Sequence, residues 1–255
     1  MSQAVILAAG CGKRLGGEAR GGPKCLLEVG GRTLVEHQLA ALAEVGVEEV
    51  CLVVGYGAEK VREVLGTRCH FVLNARWADT NSLYSLWLAR DWVRRELFLV
   101  NSDVLAHPDV FHRVAAAAPY AGLAYDASSG RDEEHMKVWV DGGLLQGVSK
   151  CLPSEQSSGE NVGVLRFPRP AAELLLREAG DLIAAGGDGA WAPAALDRLV
   201  PRLKVRCVDV ADLPWTEIDS ADDLRAAREM VWPALAGLPR ACRPEAAGWS
   251  WRDPS

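Results

Sequence analysis

Ala4-Val5-Ile6-Leu7-Ala8-Ala9-Gly10-Cys11-Gly12-Lys13-Arg14-Leu15, followed by Pro23-Lys24, is the stretch from which the rest of the chain is read. The continuous apolar run suits a central strand covered on both faces. The glycines after it let backbone amides approach phosphate oxygens with no Cβ in the way. Arg14 and Lys24 add positive charge, and the whole reads as a seat for a nucleoside triphosphate. Two commoner phosphate loops fail on spacing. The dinucleotide fingerprint needs its third glycine at position 15, where Leu15 stands. A Walker A loop fails because Pro23 precedes Lys24 and Cys25 replaces the required Ser or Thr. The alternative is an ordinary glycine-rich strand-to-helix turn, against which the paired cations speak.

Composition narrows the class. The 255 residues are 49% hydrophobic, enough for a sizeable core in one large α/β domain or one domain with a small lobe. A net charge of -6 argues against nucleic acid or an anionic membrane as a general partner, so the cations of the first loop are local tools for a small anionic ligand. Strand residues begin by Gln3 without a basic leader, and no apolar run approaches the roughly 18 residues of a membrane helix. The expectation is therefore a cytoplasmic protein. Seven cysteines, odd in number and without CxxC spacing, read as reduced thiols used mainly as core filler.

In the first half, apolar strands alternate with helical patterns. Thr33 with Glu36 three residues on is a capping box, and Val35, Leu39 and Leu42 form the buried stripe behind it. Strands are expected over residues 50–54, 69–73 and 97–100, and helices over 58–65 and 82–93, which implies a mostly parallel sheet with helices on both faces. Short strand patterns at 122–126, 136–140, 144–149 and 163–167, separated by polar turns, indicate a mixed or antiparallel extension. Helices at 171–185 and 220–232 and a strand at 204–210 complete the pattern. Residues 237–255 lack a period and read as a tail that packs on the body or on a partner.

Acidic residues appear at two places far apart. Asp103 stands just past an apolar strand, where ligands of open α/β sheets collect. In Trp215-Thr216-Glu217-Ile218-Asp219-Ser220, an extended backbone puts Glu217 and Asp219 on one face, with Ser220 and Asp223 capping the next helix. Few hard oxygen ligands suit a magnesium ion that keeps several waters and shares substrate phosphates. Taken singly, each acid could equally cap a turn or helix.

These residues resemble the nucleotidyltransferase superfamily, whose members join a nucleoside triphosphate to a phosphorylated small molecule. Leu7-Ala8-Ala9-Gly10-x-Gly12-x-Arg14-Leu15 with Pro23-Lys24, Leu26, Gly30-Gly31 and Leu34 carries that likeness. Gly55-Tyr56, Thr80-Asn81-Ser82-x-x-Ser85, Asn101-Ser102-Asp103, Ser149-Lys150, Gly159-Glu160-x-x-Gly163 and Glu217-Ile218-Asp219 narrow it to the phosphocholine and phosphonate cytidylyltransferase-like branch. The resemblance implies a three-layer Rossmann-like, GT-A-like α/β fold with a mostly parallel mixed sheet and a small antiparallel acceptor-binding extension. The nucleotidyltransferase domain would span 1–236, divided into a nucleotide-binding half (1–118) and an acceptor-binding half (119–236), with 237–255 as the C-terminal tail.

The implied activity is magnesium-dependent transfer of CMP from CTP to a small acceptor, with release of pyrophosphate. Arg14, Lys24 and Asp103 would be catalytic. Ala8, Ala9, Gly10, Cys11, Gly12 and Lys13 would hold the triphosphate; Tyr56, Asn81 and Ser82 would lie near base and ribose; Asp103, Glu217 and Asp219 would hold Mg2+. Arg131, Lys137, Lys150, Glu160, Asp188 and Trp191 are the acceptor candidates. An acceptor phosphonate or phosphate is already largely ionised at neutral pH, so no general base is required, and the five histidines fall in no evident triad or metal spacing.

The segment Asp188-Gly189-Ala190-Trp191-Ala192-Pro193-Ala194 has one aromatic and one acid but lacks the acid that follows the aromatics in the phosphocholine branch. That departure favours a small phosphonate such as phosphonoformate, a hydroxyalkylphosphonate or 2-aminoethylphosphonate. Phosphocholine, a sugar 1-phosphate, and a catalytically silent nucleotide-binding regulatory module are the alternatives. The tail through Trp249 and Trp251 could supply a homodimer interface.

Overall fold

The computed structural model describes residues 2–12, 14–15 and 22–238. The elements are β1 (Ser2–Ala8), β2 (Glu28–Val29), β3 (Arg32–Thr33), α1 (Leu34–Glu44), β4 (Val47–Val54), α2 (Ala58–Leu65), β5 (His70–Leu73), α3 (Ser82–Leu88), β6 (Glu96–Asn101), β7 (Val104–Ala106), α4 (Pro108–Ala115), β8 (Ala121–Asp126), β9 (Lys137–Asp141), β10 (Leu144–Ser149), β11 (Gly159–Phe167), α5 (Arg169–Ala184), α6 (Pro193–Leu199), β12 (Val205–Asp209), β13 (Trp215–Glu217), α7 (Ala221–Ala226) and α8 (Trp232–Gly237). One nine-stranded sheet runs in the order β5-β4-β1-β6-β11-β8-β12-β10-β9. Strands β5, β4, β1 and β6 are parallel. β11 then enters antiparallel between β6 and β8, β12 returns parallel to β8, and β10 and β9 close the far edge antiparallel.

Alternation along each strand builds two cores. Val5, Leu7, Leu97 and Leu99 face helices α3, α5 and α6 through Leu83, Leu86, Ala172, Leu175 and Leu196. Ala4, Ile6, Ala8, Phe98 and Val100 face α1, α2 and α4 through Val35, Leu39, Leu42, Val61 and Phe111. The result is the three-layer α/β architecture that the strand and helix patterns imply. A third, smaller cluster bridges distant segments: Leu15, Leu27, Leu34, Leu105, Ile218 and Leu224 join the first loop to the stretch between Glu217 and Asp219.

Several boundaries differ from the sequence expectation for identifiable reasons. The 82–93 helix is α-helical only through Leu88 and ends in a 3-10 turn over Ala89–Asp91. The helix expected over 220–232 starts at a second capping box, Ser220 with Asp223, and passes through a π-helical stretch, Ala227–Val231, before α8. Helices α4 and α6 are not among the expected elements; each is short and begins at a proline in its first turn, Pro108 and Pro193, which marks a helix start because its missing N–H is not needed there. β11 is longer than its 163–167 core because Gly159 and Glu160 also pair with β9. Most of the tail, with Trp249 and Trp251, lies outside the described residues.

The six described cysteines are free thiols. Burial pushes Cys25, Cys51 and Cys207 up to about 12 and Cys69 up to about 11, so these four stay protonated packing groups. Among the described residues no helix is long and apolar enough to cross a membrane.

Helix α1 is anchored as its sequence requires: the Thr33 hydroxyl accepts from the Glu36 amide at 3.3 Å and the Glu36 carboxylate accepts from the Thr33 amide at 3.0 Å. Thr33→Ala should lower stability by about 1 kcal/mol, seen as a lower urea midpoint at unchanged slope; an unchanged midpoint would show that the cap contributes nothing.

Candidate active site

The sheet supplies a place for a site before any side chain is considered. The chain leaves β1 toward β4 on one side and later returns to β6 on the other, so the ends of β1 and β6 border the crevice where open α/β sheets take ligands. The loop after β1 opens there. Gly12 adopts φ +58, and a Cβ on it would stand 2.7 Å from Lys24 Cγ, so glycine is what lets the lysine stem pass under the loop. The Leu15 amide closes a turn on the Gly12 carbonyl at 3.0 Å, and the buried Leu15 side chain anchors that turn in the third core cluster.

Lys24 begins a 3-10 turn held from below by buried Cys25. Its ammonium donates to Asp103 Oδ2 at 3.2 Å and to Asp219 Oδ1. Arg14 Nη2 donates to Asp219 Oδ2 at 2.5 Å. Asp103 sits in the turn between β6 and β7. Because β13 lies antiparallel on β7, with Glu217 opposite Val104, and the Ile218 amide donates to the Asp103 carbonyl at 3.0 Å, the two distant acidic segments become neighbours. Buried Gln38 of α1 staples the same turn from behind, its side-chain amide donating to the Asn101 and Val104 carbonyls at 2.8 Å each. Neither Glu217 nor Asp219 is spent as a helix cap, since Ser220 and Asp223 fill that role for α7.

Three carboxylates here offer oxygens that all lie within 4.8 Å of one another. Burial works against the charge of Lys24, but Asp103 and Asp219 beside it hold its pKa above the ordinary lysine value. Asp103 is shifted upward by burial, with Asp219 adding to the shift and Lys24 opposing it. Glu217 is pushed up to about 8, by burial first and then by the charges of Asp103 and Asp219. One lysine therefore does not neutralise the cluster, and more positive charge would be accommodated. The residues fit a hard divalent cation: the donors are all carboxylate oxygens, and Asp103 Oδ1 is buried without a hydrogen-bond partner in the chain.

This cluster is one wall of a cavity of about 330 Å³. Ala8, Ala9, Gly10, Gly12, Arg14, Lys24, Asn81, Ser82, Asp103, Lys150, Trp191, Glu217 and Asp219, all singled out from sequence, line it. The remaining expected site residues lie around it in other ways. Tyr56 stands behind the cavity wall, its amide donating to the Ala9 carbonyl at 3.0 Å and its ring edge-on to Trp77. Cys11 is not in the lining, and Lys13 is outside the described residues. Lys137 is buried and turns away to donate to the Lys150 carbonyl at 2.7 Å. Arg131 is exposed and outside the lining. Buried Glu160 accepts from Ser129 Oγ at 2.5 Å, and Asp188 pairs with Arg76 at 2.7 Å; neither reaches the lining.

Other lining residues carried no signal strong enough to be singled out. Asn74 and Trp77 come directly after β5, and the position of Asn74 just past a parallel strand was the available clue. Glu134, Met136 and Asn161 arrive through the antiparallel half, where no spacing rule reports position. Among the described residues no histidine lines the cavity.

A sequence description of the MobA-like NTP transferase domain matches residues 4–229. The chain belongs to that family. Among its relatives is the CMP-5'-(3-aminopropyl)phosphonate synthase of Streptomyces rubellomurinus, 34% identical over 88% of this chain, which spans 38% of the length of that relative. The choline-phosphate cytidylyltransferase of Streptococcus pneumoniae is 26% identical, with 90% of this chain and 98% of that one covered. In structure, the inositol-1-phosphate CTP transferase from T. maritima superimposes with a TM-score of 0.75 at 25% identity, covering 92% of this chain and 95% of that one. This member of the family thus shares its fold with enzymes named for transfer from CTP.

The metal fit is open to direct measurement. Groups that merely orient ligands are typically worth 10–100-fold in metal affinity, so replacing a ligand, Asp103→Asn, should weaken Mn2+ binding by at least roughly tenfold in a paramagnetic-resonance titration; equal affinity would place the ion elsewhere.

Proposed function

We propose that this chain is a CTP-dependent cytidylyltransferase that transfers CMP to a small phosphonate or phosphate monoester and releases pyrophosphate. One observation carries the reading: Arg14 and Lys24 of the first loop meet Asp103 and Asp219 from distant parts of the chain at the mouth of a cavity large enough for small molecules. A strand-to-helix turn with no function would have no use for two cations and three carboxylates at its opening. Relatives named for cytidylyl transfer to aminopropylphosphonate and choline phosphate support the choice of CTP and of a small phosphorus-bearing acceptor.

An ionised acceptor oxygen attacks the α-phosphorus of CTP, and the bond from that phosphorus to the oxygen bridging toward the β-phosphorus breaks. A phosphate monoester has a second pKa of about 6, and a phosphonate already carries one ionised oxygen at neutral pH, so neither needs a base to attack, in keeping with a cavity that no histidine of the described residues lines. The chain's work is positioning and charge neutralisation. Arg14, Lys24 and the amides of residues 8–13 receive the triphosphate. Lys24 also holds Asp103 and Asp219 in place. Asp103, Glu217 and Asp219 would hold Mg2+, which when bound adds charge neutralisation at the phosphates.

In this reading residues 1–118 serve the nucleotide, with Tyr56, Asn81 and Ser82 near base and ribose, and residues 119–236 serve the acceptor. The latter half also lends Glu217 and Asp219 to the phosphates. Lys150 and Trp191 are the acceptor candidates placed in the cavity lining. Lys137 serves Lys150 through its carbonyl; Glu160 and Asp188 hold the surrounding loops. A lysine within reach of the acceptor suits an anionic or zwitterionic phosphonate. The free thiols agree with a reducing, cytoplasmic setting.

Pyrophosphate release is to be measured with each of the four nucleoside triphosphates against phosphocholine, 2-aminoethylphosphonate, phosphonoformate and glucose 1-phosphate, with Mg2+ and after its removal by chelation. Release with CTP and a phosphonate, lost on chelation, is expected; release with none would leave a binding module. Arg14→Ala should lower kcat by on the order of 10²-fold, the cost of one preorganised charge-stabilising donor, and Asp103→Asn should abolish turnover. Full activity in either variant would remove that residue from the mechanism.

A further inference from the structure

We infer that Gln38, which lies outside the cavity lining, is a positioning residue for the divalent cation: by clamping the turn between β6 and β7 it fixes where the ligand acids stand. This rests on the reading of Asp103, Glu217 and Asp219 as the residues that hold Mg2+. Asp103 sits in a short turn between Asn101, the end of β6, and Val104, the start of β7. Gln38 Nε2 donates to the carbonyls of both flanking residues, at 2.8 Å each. Both hydrogens of its amide are thereby used, and the turn cannot widen or slide without breaking a bond. Val104 is also the residue that faces Glu217 in the β7–β13 pair, and the Asp103 carbonyl in the same turn accepts from the Ile218 amide at 3.0 Å. One side chain thus holds the frame of Asp103 directly and that of Glu217 and Asp219 through β13.

The clamp has a rigid base and a cost that packing does not explain. Helix α1, which carries Gln38, buries Val35, Leu39 and Leu42 in one apolar cluster and Leu34 in another, so the amide is presented from a helix fixed on two sides. Gln38 itself is 3% exposed, and its Oε1 is buried without a hydrogen-bond partner in the chain. A buried polar atom left without a partner is destabilising, so a side chain serving packing alone would be apolar here. What the amide supplies and an apolar side chain cannot is the pair of bonds to residues 101 and 104. Asp103 Oδ1, in the turn so held, is likewise buried without a partner in the chain. A carboxylate oxygen kept clear of the chain's own donors holds a cation well only where its backbone does not drift, and groups that orient ligands in this way are worth roughly 10–100-fold in metal affinity.

Mn2+ titration followed by paramagnetic resonance, on the full chain as wild type, Gln38→Met and Leu175→Val, tests this. Gln38→Met keeps the length of the side chain and removes both donors, whereas Leu175→Val loosens the apolar cluster on the other face of the sheet. Mn2+ should bind about tenfold more weakly to Gln38→Met and with wild-type affinity to Leu175→Val. In pyrophosphate release, the Mg2+ concentration giving half-maximal rate should rise by the same factor in Gln38→Met, with the rate recovered at saturating Mg2+ and the acceptor's KM unchanged. Gln38→Asn keeps an amide one methylene too short to span both carbonyls; it should weaken Mn2+ as well, and it decides the matter where Gln38→Met does not fold. Unchanged Mn2+ affinity in either folded Gln38 variant, or an equal loss in Leu175→Val, overturns the inference. A wild-type chain that takes up no Mn2+ overturns it together with the magnesium reading. A wild-type chain that binds Mn2+ yet releases no pyrophosphate overturns the transferase reading alone, because the affinity ratio between wild type and Gln38→Met still decides the clamp.

Discussion

The ammonium of Lys24, lodged between Asp103 and Asp219, is the contact on which the rest of the site depends. It joins three regions far apart in the chain, and it does so where burial penalises an isolated charge; the two carboxylates hold Lys24 above its ordinary value, and Lys24 opposes the upward shift that burial and Asp219 impose on Asp103. Removing Lys24 would leave Asp103 buried without its cation. Three carboxylates gathered around Lys24 mark a place that takes up further positive charge, and Glu217, pushed up to about 8 by burial and then by Asp103 and Asp219, shows the pressure they exert.

What brings the partners together is mostly backbone. β13 pairs with β7, the strand that begins immediately after Asp103, and so delivers Glu217 and Asp219 to it without any side-chain recognition. Gln38, in the second turn of α1, holds the same turn from the opposite side. Leu15 and Ile218, each next to a charged site residue, share one apolar cluster, so burying them also sets the distance from Arg14 to Asp219. Apolar packing, worth about 25 cal/mol per Å² buried, is thereby coupled to the placement of Arg14 and Asp219 in the cavity lining.

The cavity itself divides along the sheet. The segment after β5 and the start of α3 give it uncharged lining in Asn74, Trp77, Thr80, Asn81 and Ser85, and the antiparallel half brings Glu134, Met136, Lys150 and Asn161 to it. β11 is the seam, buried along its whole length and carrying Asn161 at a bulge near Gly163, whose φ of +80 and close approach to Asn101 leave room for no larger residue. Two halves that look separate in sequence texture are thus one continuous sheet.

Sequence alone determined the glycine-rich loop after β1, the parallel half of the sheet, the capping box at Thr33 and the acids worth watching, because strand period, glycine placement and cap chemistry are local properties that a few neighbouring residues express. It also pointed to Arg14, Lys24, Asp103, Glu217 and Asp219 as a set. Only the tertiary structure decided that Lys137 serves the Lys150 carbonyl while Lys150 lines the cavity, and that Trp77 stands beside Ala9. Those placements arise from pairings between segments tens to hundreds of residues apart, and nothing in the residues near Lys137 or Trp77 reports which distant strand will lie beside them.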